Sequence, residues 1–223
     1  MQIKILFNED SLDNKLHIGW GVSFLIDDRV LFDTGENGQW LIENINNLGI
    51  DVAGIEAVVI SHDHWDHSGG LSEILQVNKG LKVYGCKNFS ADLKKKITSG
   101  NGVFVALDGV SEILPGIYST GAITGAYAGR RIVEQALVIK TNKGISVLTG
   151  CAHPGIIKML GVVRQIFPAG KPGHNFYLVA GGFHLMEENS LLIKQIAGRF
   201  KKLGIKKVVP MHCSGSKAEE VFH

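Results

Sequence analysis

The sequence predicts an α/β (α+β) four-layer sandwich made by pseudo-duplication, with two mixed sheets facing each other and helices on the outer faces. Three observations lead there. Short β-branched runs recur along the chain, helical patterns sit between some of them, and a strand–helix–strand order occurs more than once. The 223 residues include 45% hydrophobic and 20% charged side chains. That supplies a sizeable core and is the opposite of a disordered composition. No Pro-rich, Ser-rich or charge-block stretch divides the chain, so one domain over residues 1–223 is expected.

In order, the strand-like runs are residues 3–7, 22–26, 30–32, 57–60, 82–84, 103–106, 137–139, 145–148, 176–180 and 207–209. Asp27-Asp28 reads as a hairpin turn. Over residues 39–48, Trp40, Leu41, Ile45 and Leu48 fall at helical spacing. Gly69 and Gly70 permit a sharp exit into a helix over 71–77. Residues 156–167 and 191–203 repeat the helical pattern, the latter with Lys201 and Lys202 suited to a helix carboxyl end.

Composition narrows the function classes. Lys+Arg 23 against Asp+Glu 21 gives a net charge of +2, too balanced for a polyanion-coating protein. The lysines at Lys94–Lys96 and at 201, 202, 206 and 207 flank helices, where solvated lysines are routine, so no nucleic-acid partner is expected. The opening MQIKILFNED has no charged region leading into an apolar core. The longest uncharged stretch, residues 113–129, is interrupted by Pro115 and four glycines. It falls short of the roughly 20 apolar residues a membrane span needs. Three cysteines make no disulfide framework. A soluble, cytoplasmic protein with no membrane partner is expected, and Cys86 and Cys213 read as buried or incidental thiols.

Histidine placement carries the functional reading. Four strand-like runs end in histidine-bearing loops: VVISHDHWDH brings His62, His64, Asp66 and His67; VLTGCAHPG brings Cys151 and His153; YLVAGGFH brings His184; KVVPMHCSG brings His212. Ligands of α/β sheets bind beyond the carboxyl ends of strands. Imidazole and carboxylate are good ligands for zinc, manganese or iron, and several imidazoles gathered without a cation would repel on protonation. No packing demand calls for three imidazoles and two carboxylates, Asp63 included, within six residues. His17, His174 and His223 read as structural histidines, and Arg130 and Arg131 as weak candidates for an anionic substrate group.

VLFDTG at residues 30–35, followed by SHDHWDHSGG at 61–70, resembles the first two motifs of the metallo-β-lactamase superfamily. The resemblance implies the αββα sandwich and a site for two divalent metal ions, zinc first, with manganese, iron or magnesium as alternatives. It implies His62 and His64 on the first metal and Asp66 and His67 on the second, Asp66 also orienting the attacking water as the catalytic carboxylate. Asp33 becomes a buried carboxylate that supports the site by hydrogen bonds. EQALVIKTNKGISVLTGCAHPGI, VAGGFHL and VPMHCSG are similar to the dihydropterin-type synthase branch of that superfamily. Other branches carry a third-motif histidine and a metal-bridging aspartate, where this chain has STGAITG and TGC, ending in Cys151. The resemblance therefore implies His153 and His212 as further ligands, with Cys151, His184 or water left open as the bridge. The implied activity is a metal-dependent hydrolase acting on a small, anionic, phosphate- or pterin-like molecule. A di-iron redox enzyme on the same fold and a non-enzymatic metal-binding regulator are the two alternatives.

Overall fold

The computed structural model describes residues 1–222, so His223 lies outside the described residues. The chain divides into two compact units, Met1–Asp108 and the part from Gly109 onward.

The first unit is one six-stranded sheet in the order β1 (Ile3–Phe7), β2 (Ser23–Ile26), β3 (Val30–Phe32), β4 (Ala57–Val59), β5 (Lys82–Cys86) and β6 (Val103–Leu107). β1, β2 and β3 pair antiparallel, and β3 to β6 pair parallel. The helices are α1 (Gly38–Asn47), α2 (Trp65–Ser68), α3 (Leu71–Val77) and α4 (Ala91–Ser99). Parallel neighbours need crossovers, which α1, α3 and α4 provide. Every residue of β2, β3 and β4 is buried, the pattern of strands covered on both faces. Asp27 and Asp28 are the central residues of the turn closed by the Arg29 N–H donating to the Ile26 carbonyl at 3.0 Å, with φ of 49° and 56°, both positive as in a type I′ turn. In α1, Leu41 and Ile45 face inward and the Asn37 side chain accepts from the Trp40 N–H to cap the helix.

The second unit repeats the scheme. Its sheet runs β14 (Lys207–Met211), β13 (Phe176–Gly182), β12 (Gly144–Thr149), β11 (Leu137–Thr141), β8 (Ile117–Ser119) and β7 (Ser111–Leu114). β12, β13 and β14 pair parallel and the others antiparallel. A separate hairpin joins β9 (Ile123–Tyr127) to β10 (Arg130–Glu134). The helices are α5 (Ile156–Ile166), α6 (Ser190–Lys202) and α7 (Ser216–Phe222). Met159, Leu160 and Val163 of α5 pack with Val147, Val179, Phe183, Ile193 and Phe200 in this unit's core. Each unit thus passes from antiparallel to parallel pairing, and the parallel strands β4, β12, β13 and β14 end in the histidine-bearing loops. Among the described residues, no helix is long and apolar enough to cross a membrane.

Candidate metal centre

In the first unit the donors crowd the turn after β4. His62 and His67 are fully buried, Asp66 nearly so, and His64 is half-buried. His62 Nε2 lies 3.1 Å from His64 Nδ1, and the His62 and His67 ring centroids are 4.2 Å apart. His67 Nε2 lies 3.3 Å from Asp66 Oδ2. The loop can turn this tightly because Gly21, at φ 102°, lies against it; a Cβ there would sit 1.9 Å from the Asp66 carbonyl oxygen.

One carboxylate sets the orientation of two of these rings. Asp33 is fully buried and follows β3 with φ 57°. Its Oδ2 accepts from His67 Nδ1 at 2.7 Å and from the Ser61 hydroxyl at 2.6 Å, while the Ser61 N–H donates to Oδ1 at 2.6 Å. Ser61 Oγ in turn lies 2.9 Å from His62 Nδ1. Both imidazoles are therefore held through Nδ1, which leaves Nε2 of each facing the donor cluster. A partner fixed on one ring nitrogen sets tautomer and direction for ligation by the other. Burial works against a charge on His67, but Asp33 and Asp66 outweigh it and push the imidazole up to about 10. A cation here would replace that proton.

Asp63, within the same motif, serves a different partner. Its Oδ2 accepts the Ser90 N–H at 2.7 Å, at the start of α4. His17 pairs with Glu43 and stacks on Trp40, and His174 contacts the Pro168 carbonyl at 3.0 Å. Arg131 reaches Thr124 Oγ1 at 3.3 Å within the hairpin.

The second unit has its own donor set. Ligand atoms of Cys151, His153 and His184 lie within 4.8 Å of one another. Cys151 and His153 are buried and follow β12, whereas His184 follows β13 and is exposed. The rings of His153 and His184 are 4.8 Å apart, and the Tyr127 ring stands edge-on to both. His212 follows β14, fully buried, and stands outside that three-residue set.

Sequence reasoning missed the residue that organises this set. Glu134, fully buried at the end of β10, accepts the N–H groups of Cys151, Ala152 and His153 at 2.9, 2.7 and 2.8 Å. It also meets His153 Nδ1 at 3.0 Å, so His153 offers Nε2 to a ligand. Burial disfavours the charged carboxylate, yet these donors hold Glu134 below the usual range. The available signal was its place opening the EQAL run, an acid three positions ahead of the apolar Leu137–Ile139 run. Asp33, Ala152, His184 and His212 all have left-handed φ, at 57°, 61°, 53° and 52°. Such strained positions persist where surroundings over-determine them, often at functional sites. A cavity of about 410 Å³ opens beside His153 and His184, with apolar walls from Ile156, Phe183 and Leu192 and cations from Lys158 and Arg199.

The donor chemistry fits a divalent metal: imidazole and carboxylate in one unit, imidazole and sulfur in the other. Comparison with known proteins agrees. Residues 28–108 match the β-lactamase superfamily domain. The chain is 30% identical to 7,8-dihydropterin-6-methyl-4-(β-D-ribofuranosyl)-aminobenzene-5′-phosphate synthase of Methanocaldococcus jannaschii, over 91% of this chain and 83% of that one. This chain belongs to the metallo-β-lactamase superfamily. It is also similar to the crystal structure of Tm1679, a metal-dependent hydrolase of that superfamily, with a TM-score of 0.81 and 31% identity, covering 99% of this chain and 91% of the other. The fold alone is shared with YhfI from Bacillus subtilis, at a TM-score of 0.62 and 18% identity over 99% and 92% of the two chains. The metallo-β-lactamase fold, two large mixed sheets with helices, is thus the fold of this chain, and it is a fold of metal-dependent hydrolases.

Proposed function

We propose that the chain is a metal-dependent hydrolase acting on a small anionic substrate. The observation that carries this reading is the arrangement around Asp33: one buried carboxylate, with Ser61, holds both His62 and His67 by Nδ1 and turns their Nε2 atoms toward a shared cluster. His62, His64, Asp66 and His67, with His153, His184 and His212, are proposed to hold two divalent cations, zinc first. Bound there, the cations would supply acidification of water and stabilisation of negative charge on the substrate.

The chain's own groups supply position and proton handling. Asp66, 3.3 Å from His67 Nε2, orients the attacking water by accepting its hydrogen bond. Asp33 and Glu134 fix which imidazole nitrogen faces inward. The cavity beside His153 and His184 seats the substrate: its volume of about 410 Å³ lies in the range of small-molecule pockets, Lys158 and Arg199 suit an anionic group, and Ile156 and Phe183 suit an apolar or aromatic ring. The name of the Methanocaldococcus jannaschii relative contains an aminobenzene phosphate, which supports a phosphate- or pterin-like substrate and a synthase reaction of the dihydropterin type as the finer candidate. A reducing cytoplasmic setting suits three cysteines that form no disulfide. The proposed partner is a small molecule, with neither nucleic acid nor membrane in the reading.

Elemental analysis of protein purified without added metal, together with turnover screens on phosphomonoester, phosphodiester and lactone substrates, tests this. Bound zinc with turnover lost in His64→Ala supports it. Folded protein without transition metal, and with no metal-restored turnover, rejects it. An iron-rich preparation with a mixed-valence paramagnetic signal would favour redox chemistry instead.

A further inference from the structure

The β9–β10 hairpin belongs to neither large sheet, and one of its faces is turned to the His153 loop. Directly opposed residues of an antiparallel pair share a face, and alternate residues along each strand return to it. The register sets Tyr127 opposite Arg130, Gly125 opposite Ile132 and Ile123 opposite Glu134, so these side chains share one face. At the base of that face, Glu134 meets His153 Nδ1 at 3.0 Å. Midway, Gly125 lies so close to the loop that a Cβ would sit 2.6 Å from the Pro154 nitrogen. Lys158 Nζ of α5 also fastens the hairpin by donating to the Thr124 carbonyl at 2.7 Å. Tyr127 and Arg130 stand at the turn end. The Tyr127 ring is 5.0 Å from the His153 ring and 5.7 Å from that of His184, yet it is 46% exposed. It therefore keeps open surface beside the cavity that both imidazoles line. Arg130 is exposed, and among the described residues no carboxylate pairs with it. Arg131 lies on the opposite face, against Thr124 Oγ1.

We infer that Tyr127 and Arg130 are specificity-determining residues: a planar ring of the substrate stacks on Tyr127, and an anionic substituent of that ring pairs with the Arg130 guanidinium. This rests on the hydrolase reading above and deepens it by giving recognition to the hairpin tip as well as to the cavity walls. Guanidinium offers a planar fork to a phosphate or carboxylate, and an aromatic face favours an offset ring against it. Directly opposed residues have Cβ atoms about 4.5–5.5 Å apart. The pair therefore suits a molecule whose ring and anion are directly joined, and an alkyl anion engages Arg130 alone.

Phenylphosphonate and methylphosphonate carry one anionic group on a ring and on a methyl, through a C–P bond that resists hydrolysis. Calorimetric titration of the full-length protein as purified is expected to show tighter binding of phenylphosphonate. In Tyr127→Ala that preference should fall by roughly 2–10-fold, the worth of an aromatic stack, while Tyr127→Phe keeps it. Arg130→Gln should weaken both anions by roughly 2–5-fold, the scale of an exposed ion pair, and Arg131→Gln neither. Equal wild-type affinity for the two anions, a preference that survives Tyr127→Ala, equal effects of Arg130→Gln and Arg131→Gln, or no binding of either anion overturns the proposal. Any of these in protein that holds zinc and turns over a screened substrate leaves the hydrolase reading standing. Folded protein that takes up no metal and turns nothing over removes that reading and the proposal with it.

Discussion

At the scale of single residues, the donors are easier to recognise in sequence than the groups that aim them. HDHWDH is legible because no core needs three imidazoles in six positions. Asp63 shows the limit of that logic: it shares the motif's spacing, yet its carboxylate serves the Ser90 N–H, a partner 27 residues away. Glu134 is the opposite case. Its value comes from a loop 17 to 19 residues later that folds back to present three N–H groups and an imidazole. Glu134→Ala leaves those buried donors without their acceptor, and such breaks in buried charged networks cost about 3–5 kcal/mol. Urea unfolding is expected to show a loss of that size, with a smaller loss in Glu134→Gln, whose amide oxygen still accepts. Competitive zinc titration of Glu134→Gln should show affinity down by about 10–100-fold, because an amide has one acceptor oxygen where the carboxylate used two, so the loop N–H groups and His153 Nδ1 can no longer all be satisfied. Unchanged zinc affinity would remove Glu134 from the site's design.

Elements differ in how openly the sequence declares them. The buried strands β2, β3, β4 and β12 announce themselves as β-branched runs, and the parallel pairing follows from the helices between them. β7 to β10 escaped notice because they are short and interrupted by Gly116, Gly121, Gly125 and Gly129, so no run reaches a readable length. The β9–β10 hairpin begins in the glycine-interrupted stretch of residues 113–129, yet it carries both Tyr127 and Glu134 to the donor set. Its turn places Ala128 at φ 48°, where an L-residue costs about 1 kcal/mol, and Gly129 at φ 73°. Ala128→Gly should therefore raise stability by up to about 1 kcal/mol in urea unfolding; a clear loss would mean the turn is not left-handed in solution. Gly21 makes the converse case. Any side chain there meets the Asp66 carbonyl at 1.9 Å and must also hold φ 102°. Gly21→Ala is expected to cost about 2–4 kcal/mol and to weaken cation binding by shifting the Asp66 loop. Full stability together with full metal content would contradict that close approach.

For the whole molecule, the repeated scheme matters more than any one element. Each unit turns from antiparallel to parallel strands and ends parallel strands in histidine-bearing loops, and each aims a histidine through Nδ1 with a buried carboxylate, Asp33 in one and Glu134 in the other. Binary patterning exposed the duplication of the strand–helix–strand units, but the matching carboxylates emerge only from the hydrogen bonds. Such a site is costly to leave without a cation, since buried imidazoles and carboxylates are then held close together. Folded protein should therefore be stabilised by any metal that binds the native donors and not the unfolded chain. At a free cation concentration 100-fold above Kd the gain is about 2.7 kcal/mol. For a chain of 223 residues each kcal/mol shifts Tm by roughly 2–4 °C. Removal of metal by a strong chelator is expected to lower Tm by roughly 5–10 °C in calorimetry, and zinc should restore it where magnesium at equal concentration does not. Equal restoration by magnesium would point to an oxygen-dominated site, contrary to a donor set dominated by imidazoles. A Tm indifferent to chelation would mean that the two donor sets hold no resident cation.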